Sequence, residues 1–187
     1  TYFKPFFSGN VSYTSTENLT WKLNFTQRVE RETTFKMNPF PEREHSETLE
    51  QGDPTVLPEF INTAEIGVIK TWDANSLFVT AYYNRIKNLV NRVNTVYNDS
   101  ILNRIYSNVG TGQSYGLEVG TAIFLSEKWK TYLGGTVYRY TIKGTFDQTP
   151  VNQAAWVSSV NLNTTYTISP NFSSQFSFSY FVGSKDC

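Results

Sequence analysis

Strands of alternating polarity, separated by connections that are short and long in turn, are the feature that most constrains this chain. The sequence predicts short turns at residues 14–18, 71–75, 126–129 and 169–171, and long connections at 33–60, 92–112 and 144–152. A transmembrane β-barrel is connected in this way, because its turns are tight on one side of the membrane and its loops are long on the other. The layout therefore predicts an all-β, antiparallel, up-and-down barrel wall built from four hairpins.

Alternation of apolar and polar residues with a period of two predicts eight strands. The pattern is clearest at 19–29, 156–168 and 172–182, and weaker at 7–15, 62–70, 77–90, 115–125 and 131–142. Several of these strands run for about 15 residues, against about 5–6 in most globular sheets, which is long enough to cross a bilayer at a tilt. We predict no helix, and we expect short strands to extend into the connection at 92–109.

The composition excludes several classes of protein. Sixteen basic residues balance 16 acidic ones, so the chain lacks the basic surface that binding to nucleic acid requires. No apolar run reaches about 18 residues, so no transmembrane helix is predicted. The single cysteine, Cys187, excludes a disulfide framework. His45, the only histidine, lies in a polar loop and is not matched by a Ser or Cys partner of a catalytic motif, so we predict that the chain is not an enzyme and holds no metal or cofactor.

The four tryptophans indicate where a membrane interface would lie. Trp21, Trp72 and Trp129 lie in or near the short turns, whereas Trp156 lies at the other end of its strand. Indole rings are amphipathic and concentrate at the two boundaries between lipid and water. This distribution predicts aromatic girdles at both ends of the strands, although aromatic residues of an ordinary β-sandwich core would also account for it.

Two motifs carry a more specific signal. Asn-Pro-Phe at 38–40 is followed by Gly-Asp-Pro-Thr-Val-Leu-Pro-Glu at 52–59, where two prolines restrict the backbone. Asn-Val-Gly at 108–110 is followed by Ser-Tyr-Gly-Leu-Glu-Val at 114–119. Together with the short turn that ends in Trp129, these motifs resemble the C-terminal barrel of TonB-dependent outer-membrane receptors of the Bacteroidetes type. The resemblance extends over residues 19–181.

The resemblance implies a fold, a location and a set of partners. It implies that residues 1–187 are part of a larger barrel, commonly of 22 strands, in the bacterial outer membrane, with a plug domain and the terminal strands lying outside this sequence. It also implies TonB-dependent uptake of a nutrient, such as an iron chelate, an oligosaccharide or a peptide. Outer-membrane lipid with lipopolysaccharide, TonB and a surface lipoprotein are the implied partners. The short turns are expected to face the periplasm and the proline-containing loop the outside.

Charged residues in the predicted loops are the candidates for contact with a ligand. The loop at 33–60 is acidic, and the stretch that contains Arg85, Lys87, Arg92 and Arg104 is basic. A basic patch could guide an anionic nutrient or bind lipopolysaccharide phosphates, and an acidic loop could receive a cation. Solvation of the acidic loop and mutual screening of the two loops are the alternatives. By their position in these loops, the candidate ligand-facing residues are Arg43, Glu44, Arg92 and Arg104.

Two other architectures fit the same pattern of strands. One is a soluble β-sandwich that binds a ligand through its Tyr and Trp side chains. The other is a complete eight-stranded barrel with a structural or adhesive role, because eight strands can close around a filled interior. Pairing between the strands at 7–15 and 172–182 would distinguish the closed small barrel from part of a larger wall.

Overall fold

The computed structural model describes residues 5–45, 47–97 and 101–186, which contain ten strands and one short helix. The strands are β1 (Ser8–Thr16), β2 (Leu19–Glu30), β3 (Glu42–His45), β4 (Thr48–Gln51), β5 (Glu59–Trp72), β6 (Asn75–Tyr97), β7 (Ile101–Ser126), β8 (Trp129–Phe146), β9 (Thr149–Ser169) and β10 (Phe172–Asp186). Eight of them form an antiparallel sheet in the order β1-β2-β5-β6-β7-β8-β9-β10. Neighbours in the chain are therefore neighbours in space, apart from β3 and β4, which lie between β2 and β5 in the sequence. The predicted up-and-down wall of eight long strands is confirmed.

The four short turns also lie where the sequence predicts them. Each hairpin closes through two residues, at 17–18, 73–74, 127–128 and 170–171. We refer to this side of the sheet as the turn end and to the opposite side as the loop end. Asp73 adopts a left-handed conformation, with φ of 48°, as a tight hairpin turn requires.

Two of the three predicted long connections are wrong. Residues 92–97 and 101–112 are strand, because β6 and β7 remain paired from Ser76 and Ala122 as far as Tyr97 and Ile101. The expectation that strands extend into this connection is therefore confirmed, whereas the predicted long loop is not. The stretch at 144–152 is a two-residue turn between β8 and β9. Asp147 and Gln148 form it with φ of 45° and 63°, which is the left-handed geometry of a tight hairpin. Short and long connections therefore do not alternate strictly along the chain.

The remaining connection, residues 31–58, is long and carries structure of its own. It begins with the single-turn helix α1 (Thr34–Met37), which corrects the prediction that no helix is present. It continues through β3 and β4, which form a small antiparallel hairpin, and β4 then pairs in parallel with β7. We call this segment the docked loop, because β4 fixes it to the part of β7 that projects from the sheet.

The sheet is open at both edges. Within the described residues, β1 pairs only with β2, and β10 pairs only with β9. The closed eight-stranded barrel considered from the sequence is therefore wrong, since it requires β1 and β10 to pair. Cys187 lies outside the described residues.

The small hydrophobic core lies at the loop end rather than in the middle of the sheet. Leu89, Val109 and Ile142 are buried together there, beside a bulge in β6 at Asn88. The backbones of β7 and β8 come very close at this point, because a Cβ on Gly144 would collide with the carbonyl oxygen of Val109. Along the rest of the sheet one face carries a band of large apolar side chains that stay exposed, which is the arrangement that a lipid environment allows.

Candidate functional site

The docked loop is held against itself by backbone hydrogen bonds at its two ends. The Gly52 amide donates to the Asn38 carbonyl oxygen at 2.7 Å, and the Asp53 amide donates to the Lys36 carbonyl oxygen at 3.0 Å. A Cβ on Gly52 would lie 2.5 Å from the backbone carbon and oxygen of Lys36, so this approach requires glycine. The Asp53 carboxylate accepts from the amide of Thr55 at 2.8 Å and fixes the following turn. The first motif therefore brings residues 36–38 and 52–53 together.

The second motif attaches the docked loop to the projecting parts of β6 and β7. Asn108 accepts from the Leu57 amide through Oδ1 at 2.8 Å, and it donates through Nδ2 to the Leu57 carbonyl oxygen at 3.1 Å. The same Nδ2 also donates to the Asn88 carbonyl oxygen at 2.6 Å. Asn88, at the bulge, donates in turn to the Pro58 carbonyl oxygen at 3.2 Å. Both motifs stand out in the sequence, but nothing in the sequence indicates that they bind each other.

Glu50 connects the docked loop to the same projection through its side chain. Its Oε1 accepts from Tyr106 Oη at 2.8 Å and lies 3.3 Å from Arg92 Nη1. Phe35 packs edge-on against the ring of Tyr106, and Lys36 Nζ lies 5.8 Å from the centre of that ring. Burial and the hydrogen bond to Glu50 both raise the pKa of Tyr106. The tyrosine therefore stays protonated and continues to donate to the carboxylate.

A second carboxylate, Glu59, lies where the docked loop enters β5. It is almost fully buried, and its Oε1 accepts from the Val90 amide at 2.6 Å. Burial raises the pKa of Glu59 above its ordinary value, the hydrogen bond from Val90 opposes that rise, and the nearby Glu32 and Glu30 add to it. Lys36 forms an ion pair of 2.6 Å with Glu32, whose hydrogen bond raises the lysine pKa. Three carboxylates and one lysine thus meet at this junction, which is therefore acidic.

Two of the four candidate residues come together, and the other two do not join them. Arg92 of β6 lies opposite Tyr106 of β7, and Arg104 lies two residues away on the same face of β7, opposite Glu50 of β4. Arg92 is 43% exposed and Glu50 12%, so the carboxylate is enclosed while the guanidinium reaches solvent. Both arginines have interaction partners in the structure.

Arg43 and Glu44 lie farther out, on β3. Arg43 is exposed and pairs with Leu49, so the register puts it on the opposite face of the β3–β4 hairpin from Glu50. The basic stretch is also divided, since Arg85 and Lys87 lie below the bulge at Asn88, away from Arg92 and Arg104. Glu50 and Tyr106 were not among the candidates. Their position depends on the parallel pairing of β4 with β7, for which the sequence carries no local signal.

The two faces of the sheet differ as a membrane-spanning wall requires. One face carries an apolar row that crosses the strands from Trp21 through Val68, Val79 and Val119 to Val160. The other face is polar. There, Asn24 donates to Glu65 at 3.0 Å beside Lys22, in a groove of about 220 Å³. These two faces define a lipid-facing side and a water-facing side of the sheet. The assignment of residues to the two faces, which the alternation in the sequence predicted, is confirmed.

Aromatic rows on the lipid-facing side lie at the two ends of the apolar band. At the turn end, Trp129 donates from Nε1 to Thr164 at 2.7 Å and packs edge-on against Tyr166. At the loop end, Trp156 packs edge-on against Tyr115 and lies beside Arg139. On β8 ten residues separate Trp129 from Arg139, the partner of Trp156. This is about 34 Å along the strand, or about 26 Å across a membrane at a tilt of about 40°, which matches the apolar height of a transmembrane barrel.

No helix among the described residues is long and apolar enough to span a membrane. Within the same residues, no group of three or more His, Cys, Asp and Glu side chains is arranged to hold a metal ion.

A sheet that is apolar on one face, polar on the other and bounded by aromatic rows at membrane spacing defines the wall of a transmembrane β-barrel. The chain belongs to the outer membrane protein beta-barrel family, whose sequence pattern it matches over residues 1–186. It is therefore a protein of the bacterial outer membrane, which excludes the soluble β-sandwich. No curated protein matches the sequence.

Solved structures of receptors and of a transporter share this fold. The siderophore receptor PirA from Pseudomonas aeruginosa is 17% identical, with a TM-score of 0.61 over 94% of this chain and 40% of its own. The ferric enterobactin receptor PfeA, in complex with BCV-L6, is 16% identical, with a TM-score of 0.55 over 94% of this chain and 32% of its own. The copper transporter OprC is 11% identical, with a TM-score of 0.54 over 88% of this chain and 31% of its own. The chain thus spans less than half of each structure, and the resemblance drawn from the two motifs is confirmed at the level of family and fold.

Proposed function

We propose that this chain is part of the wall of a TonB-dependent receptor that takes up a nutrient across the outer membrane. The observation that carries the proposal is the docked loop, which hydrogen bonds hold in one position against the projecting parts of β6 and β7. A fixed loop at the mouth of a barrel can present a ligand without the entropy cost of ordering a free segment. The fold shared with a siderophore receptor and a copper transporter supports this role.

The barrel is completed by strands outside residues 1–187, in a receptor of about 22 strands. The unpaired edges of β1 and β10 support this, since an open edge exposes unsatisfied backbone groups that lipid cannot solvate. A plug domain, also outside this sequence, gates the lumen and contacts TonB, and a surface lipoprotein assists capture at the mouth. The role is transport, with no catalytic step and no resident cofactor.

The nutrient is an iron chelate, an oligosaccharide or a peptide. Uptake by cells that lack the intact protein, compared with complemented cells, distinguishes these classes. The probes are radiolabelled ferric enterobactin, a labelled maltooligosaccharide and a labelled oligopeptide. We expect one of the three to enter complemented cells only, and to stop entering when TonB is inactivated. Equal uptake of all three by both strains, or uptake that continues without TonB, would overturn the proposal.

Arg43, Glu44, Arg92 and Arg104 are proposed to face the ligand. Arg92 is the weaker candidate, because Glu50 offsets its charge and the pair also fixes the docked loop. Arg104 and Arg43 supply a positive field that attracts an anionic chelate as it approaches.

Charge reversal at these two positions tests that field. In the intact receptor, Arg43→Glu with Arg104→Glu should slow the association of a ferric catecholate and weaken the salt dependence of its rate. The matched control reverses two cations at the turn end, Lys70→Glu with Lys128→Glu, and should change neither quantity. An unchanged rate and salt dependence in the first variant would rule out guidance by these residues while leaving the transport role intact.

A further inference from the structure

Four basic residues lie on the lipid-facing side of the sheet, one within the aromatic row at the loop end and three immediately beyond it. The row runs from Tyr83 through Tyr115 and Arg139 to Trp156 across β6–β9. Two and four residues farther along β6 on the same face stand Arg85 and Lys87, and four residues beyond Arg139 on β8 stands Lys143. We call the four cations Arg85, Lys87, Arg139 and Lys143 the basic patch.

The patch is compact. Lys87 and Lys143 flank the same residue of β7, Thr111, so one strand lies between them. Strand spacing puts their Cα atoms about 10 Å apart, and Arg85 lies about 7 Å below Lys87. These separations are close to the screening length of about 8 Å at physiological salt, so the charges act on one another and on a shared counter-ion. Arg85, Lys87 and Lys143 are exposed, whereas Arg139 is half-buried beside the ring of Trp156.

The three strands that carry the patch provide no carboxylate to neutralise it. β6 and β8 contain no acidic residue, and the acid of β7, Glu118, points to the polar face with its pairing partners Thr80 and Thr136. Among the described side chains, no carboxylate oxygen lies within ion-pair distance of Arg85, Lys87 or Lys143. A same-sign cluster at this position therefore requires anions from outside the chain.

The depth of the patch identifies those anions. Directly below it, the same face carries Leu117 and Val137, which are paired with each other and exposed to lipid. Acyl chains occupy that level, and the headgroups to which they are attached lie at the level of the aromatic row and just beyond it. The long connections of a barrel face outside, so the loop end belongs to the outer leaflet. Basic residues at such a boundary bind lipid phosphates.

We propose that the basic patch is a binding site for the phosphate groups of an outer-leaflet glycolipid of the lipopolysaccharide class, whose acyl chains lie against Leu117 and Val137. Arg139 is held beside Trp156 with its guanidinium 5.9 Å from the ring centre, so part of the site is already ordered before the lipid binds. The site is on the outer face of the wall, away from the lumen. Lipid binding at this site therefore does not depend on which nutrient the receptor transports.

The test compares the intact receptor with two triple variants that lose the same net charge. Arg85→Gln, Lys87→Gln and Lys143→Gln remove the exposed part of the patch. Lys70→Gln, Lys128→Gln and Lys130→Gln remove three exposed cations at the turn end and serve as the control. Each protein is placed in phosphatidylcholine nanodiscs that contain a small fraction of lipid A, either with its phosphates or enzymatically dephosphorylated. Native mass spectrometry counts the bound lipid A, and inorganic phosphate is added as a competitor.

Each surface cation contributes about a fivefold factor to the binding of an anionic lipid, so the patch variant should bind phosphorylated lipid A about a hundredfold more weakly. The control variant should bind it as the unsubstituted receptor does, and dephosphorylated lipid A should bind weakly to all three proteins. Inorganic phosphate should not displace the lipid, because it lacks the acyl contacts.

Equal binding by the patch variant, an equal loss in the control, or equal binding of dephosphorylated lipid A would each overturn the proposal. Displacement by inorganic phosphate would overturn it too, since the site would then be a general anion site. If the triple variant fails to insert in the membrane, the double variant Lys87→Gln with Lys143→Gln should bind about 25-fold more weakly.

Discussion

Replacement of Asn108 by alanine is expected to release the docked loop while the sheet below stays folded. The side chain of Asn108 makes three hydrogen bonds, two with the backbone of Leu57 and one with the carbonyl oxygen of Asn88. The two bonds to Leu57 are exposed to solvent and are worth about 0.5 kcal/mol each, whereas the partly buried bond to Asn88 is worth about 1 kcal/mol. The loss of about 2 kcal/mol corresponds to an about 30-fold increase in the population of the open loop.

Hydrogen–deuterium exchange of the intact receptor measures that opening. The peptide that contains Leu57 should exchange about 30-fold faster in Asn108→Ala, while peptides from the middle of β5 and β7 should exchange at the original rate. Asn94 provides the matched control, since it lies on the same projection of β6 and its side chain has no hydrogen bond with any described residue. Asn94→Ala should leave the exchange unchanged.

The aspartate variant makes the test more stringent. Asn108→Asp keeps the shape of the side chain and the acceptor for the Leu57 amide, but it places a carboxylate oxygen against two carbonyl oxygens. Exchange in this variant should be at least as fast as in Asn108→Ala. Slow exchange in either variant, or fast exchange in Asn94→Ala, would show that the Asn108 hydrogen bonds do not hold the loop.

Three further perturbations test the same attachment. Gly52→Ala should expose the docked loop to proteases, because its Cβ would meet the Lys36 backbone at 2.5 Å, whereas Gly9→Ala, with nothing within 4 Å, should not; equal cleavage of both would contradict this. Glu59→Gln should slow hydrogen exchange at the Val90 amide at pH values above the raised pKa of Glu59, because the wild-type carboxylate is then charged and buried. Below the ordinary pKa of 4.5 both side chains are neutral, so the two proteins should exchange at the same rate. Slower exchange of the variant that persists in acid would show that the buried charge of Glu59 is not the cause. A double-mutant cycle of Glu50→Gln and Arg92→Gln, read from loop exchange, should give a coupling of about 0.5–1 kcal/mol, and a coupling of zero would mean that the ion pair does not hold the loop.

The part of the fold that lies within the membrane could be predicted from the sequence because lipid imposes a regular pattern on it. Every second residue of the strand from Leu19 to Phe25 must be apolar, and the turn that precedes it must be tight, so both signals are local. Outside the membrane this constraint ends. Residues 88–97 and 101–110 are polar on one face and partly apolar on the other, and they contain the glycine and asparagine residues that elsewhere mark loops, although they continue as paired strands.

Glycine was misread at one position for a physical reason. Gly144 indicates a loop when it is read alone, but here it is a strand residue that lets β8 approach Val109 of β7. The candidate site could be predicted only in part, because it depends on contacts between segments that are distant in the sequence. Arg92 and Arg104 come together because β6 and β7 stay paired in a region that the pattern predicted as a long connection with short strands in it. Glu50 reaches them through the parallel pairing of β4 with β7, and it lies 42 residues from Arg92 in the sequence.

The unequal lengths of the hairpins give the rim of this wall a step. Lys87 of β6 and Lys143 of β8 lie at the same level, since both pair with Thr111 of β7. β6 continues for ten residues beyond Lys87, whereas β8 continues for only three beyond Lys143. The difference of seven residues amounts to about 23 Å along the strands. The edge of β7 that β8 leaves unpaired above this step is the edge along which β4 lies, opposite residues 102–105 of β7. The docked loop therefore stands above the end of β8 and raises the low side of the rim.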